Sequence, residues 1–220
     1  MAAHGHPTVA AILVAAGSGQ RLGAAVPKAF VTVAGRTLLD HARERFATHP
    51  DVDDVVIVAP ADALPPGAVA GGATRQASVL AGLAAVDEHV DVVLVHDVAR
   101  PFVPDHVITA VVTAVADGAD AAIPVVPLHD TIRRVDTDGN FSGVVDRSSL
   151  VAIQTPQAFR RTVLVAAHDA GAHLEVTDDA ALVEALGHKV VAVPGADEAF
   201  KITRPWDLAV AEAVATRIAR

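Results

Sequence analysis

The 220-residue sequence contains no cysteine. That absence excludes a disulfide scaffold and thiolate metal sites, and it fits a reducing compartment. Aromatic residues make up only 3% of the chain, so Val, Ala, Leu and Ile must build the core. Such residues suit parallel strands covered by helices on both faces. Basic residues are outnumbered: 17 Lys and Arg stand against 26 Asp and Glu, a formal net charge of −9. A nucleic-acid binder would need a basic stripe for phosphates, which this balance argues against. An anionic small substrate must therefore be captured by local clusters of Arg and Lys, because the overall field repels it. A membrane-length apolar run is also missing. Met1–Thr8 carries no Lys or Arg, and the apolar stretch Val9–Ala16 stops at Gly17. It is too short for a span and lacks the basic start of a signal peptide. The expectation is a cytoplasmic protein with no membrane partner.

What is present is apolar. Hydrophobic residues reach 52%, enough to bury a sizeable core, and the length suits one large domain covering residues 1–220. Val9–Val14, Val55–Ala59, Val92–His96, Ala121–Val126 and Lys189–Val193 read as strands of a buried sheet. Leu38, Leu39, Ala42 and Phe46 mark one helical face, and Val79, Leu80, Leu83 and Val86 a second. Pro104 opens a third helix through Ala116, which Asp117-Gly118 closes. Thr177 reads as the N-cap of a fourth, with Asp178 and Asp179 in its dipole-favoured first turn and Gly187 beyond its end. A fifth runs from Pro205 to the C-terminus. This alternation predicts an α/β, doubly wound, mostly parallel sheet of Rossmann-like type. One segment breaks the rhythm. From Leu128 to Leu150 the chain turns polar, with Asp138-Gly139 between short β-type runs, a hairpin signal. A lone hairpin is barely stable in water. It must pack on its own domain or reach a second subunit as an arm.

The first strand leads into Ala15-Ala16-Gly17-Ser18-Gly19-Gln20-Arg21-Leu22-Gly23, followed by Pro27-Lys28. Small residues let backbone N–H groups approach a polyphosphate without a Cβ in the way. Two motifs fail here. A dinucleotide fingerprint needs a third glycine where Leu22 stands, and a P-loop needs Gly-Lys-Ser/Thr, which neither Gly19 nor Gly23 begins. A plain strand-to-helix turn would explain the glycines, but not Arg21 and Lys28 in and just after the same loop.

That loop resembles the signature of nucleoside-triphosphate nucleotidyltransferases. His96-Asp97-x-Ala99-Arg100-Pro101, Asp130-Thr131, Asp146-Arg147, Thr155-Pro156-Gln157, Thr177-Asp178 and Lys201-Ile202-Thr203-Arg204-Pro205 follow in order. The set, spanning roughly residues 9 to 212, is similar to the 2-C-methyl-D-erythritol 4-phosphate cytidylyltransferase family of the non-mevalonate isoprenoid pathway. The resemblance implies a nucleotidyltransferase that joins CTP and methylerythritol phosphate into the CDP-alcohol, releasing pyrophosphate. A phosphate monoester is already a nucleophile at neutral pH, so catalysis is positioning plus charge stabilisation.

By the same resemblance Arg21, Lys28, Arg147 and Lys201 are the catalytic residues. Ala15, Ala16, Gly17, Ser18, Gly19, Gly72 and Ser78 join Arg21 and Lys28 in holding CTP. Asp97, Arg100, Thr131, Arg147, Thr155 and Lys201 bind the acceptor, with Asp97 accepting from its hydroxyls at the carboxyl end of a strand. Thr131 and Arg147 match residues that arrive from a neighbouring subunit, which implies a homodimer through the arm at about 128–150. Mg²⁺ or another divalent cation is implied, held mainly by the triphosphate and not by protein ligands. The chain departs from the family pattern at Gln20, Ala73 and Ala199, where basic, acidic and Asn residues respectively are frequent. None of the 11 histidines shows ligand spacing with a carboxylate, and His96 reads as a packed strand-end residue. Two alternatives stay open: a cytidylyltransferase for another polyol phosphate such as ribitol 5-phosphate, and a nucleotide-binding module without turnover.

Overall fold

Alternate residues of the first strand face opposite ways, and both sides of it are covered. β1 (Val9–Val14) sends Val9, Ala11 and Leu13 into one apolar layer and Ala10 and Ile12 into the other, all fully buried. A strand apolar on both faces belongs at the centre of a covered sheet. In the computed structural model, which describes residues 6–17, 22, 26–174 and 176–218, β1 lies between β4 (Asp54–Ala59) and β6 (Val92–Asp97), parallel to both. β5 (Val69–Ala70) extends the sheet parallel to β4. On the other side β11 (Gln157–Arg160) runs antiparallel between β6 and β7 (Ala121–Pro127). β10 (Val151–Ile153) pairs antiparallel with the end of β7, and β12 (Val190–Pro194) pairs parallel with it. A short ribbon of β2 (Thr32–Val33) and β3 (Arg36–Thr37) stands apart from the main sheet.

The helices are α1 (Leu38–Ala47), α2 (Arg75–Ala85), α3 (Asp105–Ala116), α4 (Arg161–Ala170), α5 (Asp179–Ala185) and α6 (Pro205–Ile218). α1, α3 and α6 bury Phe46, Ile108 and Ala211 against one sheet face. α2, α4 and α5 bury Leu83, Leu164 and Leu182 against the other. Each fully buried Leu, Ile or Phe contributes about 1.5–3 kcal/mol, so these two layers dominate the fold's stability. The α/β, mostly parallel, doubly wound architecture is thus the expected one. Among the described residues no helix is long and apolar enough to cross a membrane.

The hairpin stands where Asp138-Gly139 marks it. β8 (Ile132–Val135) and β9 (Phe141–Val145) form a separate two-stranded sheet, with Gly139 at a φ of +85° that favours glycine.

Several elements differ from expectation. α5 is capped by Asp178, whose side chain accepts from the Ala181 N–H, and not by Thr177. Leu80 is 47% exposed, and the buried stripe of α2 is Ser78, Val79, Gly82 and Leu83. Phe200–Thr203, which alternates like a strand, is irregular: the Ile202 N–H donates to the Ala99 carbonyl without starting a ladder. β10, β11 and α4 went unpredicted. α4 begins at Arg161 with no side-chain cap, so the usual start signal is missing.

Candidate active site

β1 and β6 are parallel neighbours and end together, which opens a crevice at their carboxyl ends. The cleft there has a volume of about 610 Å³. One wall is Ala15, Ala16 and Gly17, just past β1, tied to β4 by the Ala15 N–H donating to the Val58 carbonyl at 2.7 Å. A second part of the lining is Gly72, Ala73 and the start of α2, whose first turn Thr74 caps by accepting from the Ala77 N–H. Gly71 allows the two walls to meet. A Cβ there would lie 2.6 Å from the Ala16 Cβ and 2.9 Å from the Ser78 Oγ. Ser78 is buried beneath this wall, and its hydroxyl donates to the Thr74 carbonyl at 2.9 Å. Lys28 lines the cleft from a 3-10 turn that Pro27 opens. Ser18, Gly19 and Arg21 lie outside the described residues.

Asp97 closes the floor. Its Oδ2 accepts from the Lys201 Nζ at 2.7 Å and its Oδ1 from the Arg75 Nε at 3.4 Å. Burial pushes the carboxyl up, but the Lys201 and Arg75 cations beside it outweigh that and hold it well below the usual carboxylate range. The described lining thus sets three cations, Lys28, Arg75 and Lys201, against one carboxylate. On a chain of net charge −9, this is the local cluster that an anionic ligand requires.

Thr155 and His96 fix the Asp97 backbone from behind. The Thr155 Oγ1 accepts from the Asp97 N–H at 3.0 Å and lies 3.1 Å from the His96 Nδ1. The His96 Nε2 faces the Arg100 carbonyl at 3.1 Å, and a carbonyl only accepts. His96 therefore carries its proton on Nε2, and the Thr155 hydroxyl donates to Nδ1. Burial against Phe46, which leaves the ring fully enclosed, lowers the His96 pKa to about 4 and keeps it neutral. The expected packed strand-end role of His96 is what the geometry delivers.

Other expected acceptor residues sit elsewhere. Thr155 is buried and holds Asp97 in place of touching the cleft. Arg100 donates to the carbonyls of Ala199 at 2.7 Å and Ile153 at 3.2 Å, and so braces the chain before Lys201. The Ala199 departure matters little there, because its carbonyl and not its buried side chain makes the contact. Thr131 and Arg147 lie in the arm segment and do not line this chain's cleft. Among the described residues no group of three His, Asp or Glu could hold a metal ion.

Arg75 is the functional-site residue that pattern reading missed. It lines the cleft and joins Asp97 to the buried Asp179, 2.6 Å from its Nη1. A cation in the first turn of a helix works against the helix dipole, so Arg75 after the Thr74 cap was a signal that nearby carboxylates engage it.

The model of the 2-C-methyl-D-erythritol 4-phosphate cytidylyltransferase family matches residues 9–217. The 2-C-methyl-D-erythritol 4-phosphate cytidylyltransferase of Frankia casuarinae is 49% identical over 220 residues, covering 96% of this chain and 82% of that one. That of Saccharopolyspora erythraea is 47% identical over 222 residues, covering 94% and 99%. The crystal structure of the Thermus thermophilus enzyme of the same name matches with a TM-score of 0.81 at 42% identity, covering 93% of this chain and 98% of that one.

Proposed function

The chain belongs to the 2-C-methyl-D-erythritol 4-phosphate cytidylyltransferase family, and from that premise we propose how its cleft carries out the family reaction. The enzyme transfers the cytidylyl group of CTP to 2-C-methyl-D-erythritol 4-phosphate. An oxygen of the acceptor phosphate attacks the α-phosphorus in line, the new P–O bond forms as the bond to the β-phosphate oxygen breaks, and pyrophosphate leaves.

The glycine-rich loop from Ala15 through Gly19 and the Gly72 wall hold CTP, their backbone N–H groups and small side chains meeting the triphosphate and a pyrimidine. Lys28 and Arg21 stabilise charge on the α-phosphoryl oxygens. Asp97 accepts from the acceptor's hydroxyls, and Lys201 takes its phosphate. The observation that carries this reading is the 2.7 Å pair of Lys201 and Asp97 in the cleft that Lys28 and Ala15–Gly17 also line. A carboxylate able to accept from hydroxyls and an ammonium able to bind phosphate share one cavity with the start of the nucleotide loop.

Both Asp97 oxygens are engaged by cations, so this carboxylate is not offered to a metal, and a Mg²⁺ ion would be held by the triphosphate. Such an ion would offset repulsion between two anionic substrates. Arg147 and Thr131 reach the cleft of a second copy through the arm, making the working unit a homodimer. The exposed apolar side chains of the hairpin support this. The cysteine-free composition supports a cytoplasmic location.

Pyrophosphate release from methylerythritol phosphate with each of the four nucleoside triphosphates tests the assignment, with ribitol 5-phosphate as a parallel acceptor. The expected result is turnover with CTP and methylerythritol phosphate. Activity only with a purine triphosphate, or CTP binding without any product, overturns it.

A further inference from the structure

Behind Asp97 runs a line of alternating charge that the transfer chemistry does not itself demand. Lys201 meets Asp97 at 2.7 Å, Asp97 meets Arg75 at 3.4 Å, Arg75 meets Asp179 at 2.6 Å, and Asp179 meets the His168 Nε2 at 3.1 Å. The far end is deep: the Asp179 and His168 side chains are each 1% exposed. A carboxylate so enclosed is unfavourable unless partnered, and here each of its oxygens has a partner, Arg75 on Oδ2 and His168 on Oδ1. The ionised Asp179 only accepts, so the His168 Nε2 donates to it; the His168 Nδ1 is buried without a partner. This end of the line therefore has no contact with solvent and no role of its own in binding.

The near end is different. Lys201 is 42% exposed and stands on an irregular segment. When the acceptor's phosphate engages Lys201, the ammonium divides its three donors and its charge between phosphate and Asp97, and Asp97, still buried, keeps less of its nearest counter-cation. Arg75 cannot follow the substrate, because Asp179 holds its other arm at 2.6 Å. We propose that Arg75, anchored from behind by Asp179 and His168, is a positioning residue that keeps Asp97 oriented and charge-balanced while Lys201 engages the acceptor phosphate. The proposal rests on the assignment of Asp97 and Lys201 to the acceptor.

Among the described residues no other cation contacts the Asp97 carboxylate, although Arg100 adds a weaker favourable charge from nearby. Arg100, across the turn after β6, is committed to the carbonyls of Ala199 and Ile153. His96, next to Asp97 in β6, is neutral and turned to Thr155 and the Arg100 carbonyl. Lys28 lines the same cleft from the 3-10 turn Lys28–Phe30, just after the nucleotide loop in sequence. Around Asp179, the neighbouring Asp178 is engaged by Gln157 and the Ala181 N–H.

The test is steady-state pyrophosphate release by the full chain, with KM measured separately for CTP and for methylerythritol phosphate across pH. The variants are Arg75→Gln, Arg75→Lys, Asp179→Asn and Asp97→Asn, each checked for folding by circular dichroism. In Arg75→Gln the acceptor KM rises about 10- to 100-fold, the loss expected when a reacting group is misplaced, while the KM for CTP stays near wild type. Its kcat/KM for the acceptor also gains an acid limb at higher pH than wild type, because Asp97, short of a cation, takes up a proton sooner. Asp179→Asn moves both readouts the same way by less. Arg75→Lys, whose single ammonium cannot span both carboxylates, recovers the pH limb but only part of the KM. Should the Gln variant not fold, Arg75→Lys decides alone: a raised acceptor KM with unchanged CTP KM supports the proposal, and an unchanged acceptor KM overturns it. Folded Arg75 variants with wild-type acceptor KM and pH profile overturn it, as does a parallel rise in the CTP KM, which would make Arg75 a nucleotide contact. If Asp97→Asn leaves the acceptor KM unchanged, the underlying assignment falls and takes the proposal with it; if only Asp97→Asn acts, the assignment stands and the Arg75 role fails.

Discussion

At the end of β6 a carboxylate is buried with both oxygens engaged by cations of the same chain, Lys201 and Arg75. On the β8–β9 hairpin, Phe141 is 70% exposed and Val144 67% exposed, and the guanidinium of Arg133, 4.5 Å above the Phe141 ring, is the cover recorded for it. One region satisfies costly polar groups internally; the other leaves apolar groups without a core. A charge cluster can be closed by residues far apart in one chain, since burial makes each pairing strong. A two-stranded hairpin has no such recourse and needs a surface to lie on. Thr131 and Arg147, on the arm segment, do not line the cleft of their own chain.

The comparison can be broken first in the cleft. Lys28→Ala is expected to lower kcat by about 10²–10³-fold, the loss typical of one oxyanion donor, and to change CTP affinity far less. Rapid-quench turnover alongside calorimetric CTP binding checks this, and near-normal turnover would remove Lys28 from the chemistry.

A smaller effect follows from the support beneath Asp97. His96 drops from an ordinary value of 6.5 to about 4 because it is buried. Between those values the unfolded chain takes up a proton that the folded chain refuses. Stability is therefore full above pH 6.5 and is lost as pH falls toward 4, by up to about 3 kcal/mol. Urea unfolding at both pH values should show that excess loss in the parent chain and not in His96→Gln; equal pH slopes would contradict the buried neutral tautomer.

The smallest effect on fold stability belongs to the arm. Phe141→Asp is expected to leave the monomer's unfolding free energy within about 0.5 kcal/mol, as for surface positions generally, yet to shift the sedimentation coefficient toward monomer. Strong destabilisation without a change in association would mean that the hairpin packs on its own domain after all.

How far these features were legible depends on their range. The run Val9–Val14 announces a central strand because both of its faces are apolar, and Asp97 announces itself by ending an apolar strand. Lys28 stands out beside Pro27, after the glycine-rich loop, and Lys201 is marked only by the family resemblance. Arg75 does not stand out, because its partners Asp97 and Asp179 lie 22 and 104 residues away, and only folding joins them. Asp178 displaced Thr177 as a cap because both residues can cap and tertiary contacts chose between them; Asp178 also accepts from Gln157 at 2.9 Å. Phe200 and Ile202 alternate as in a strand, but Arg100 takes the Ala199 carbonyl and a single bond to Ala99 anchors Ile202. Local pattern and resemblance therefore mark Ala15–Gly17, Lys28, Asp97 and Lys201, which line one cleft, whereas the Arg75 link depends on contacts that only topology creates.

A working site that combines the cleft of one chain with the arm of another is tested by mixing two inactive variants, Lys28→Ala and Arg147→Ala, under conditions that exchange subunits. In a two-fold dimer, half the mixed population is heterodimeric, and each heterodimer holds one site with both residues intact, so activity should return to about a quarter of wild type. Activity that stays at the level of the separate variants would contradict a shared site.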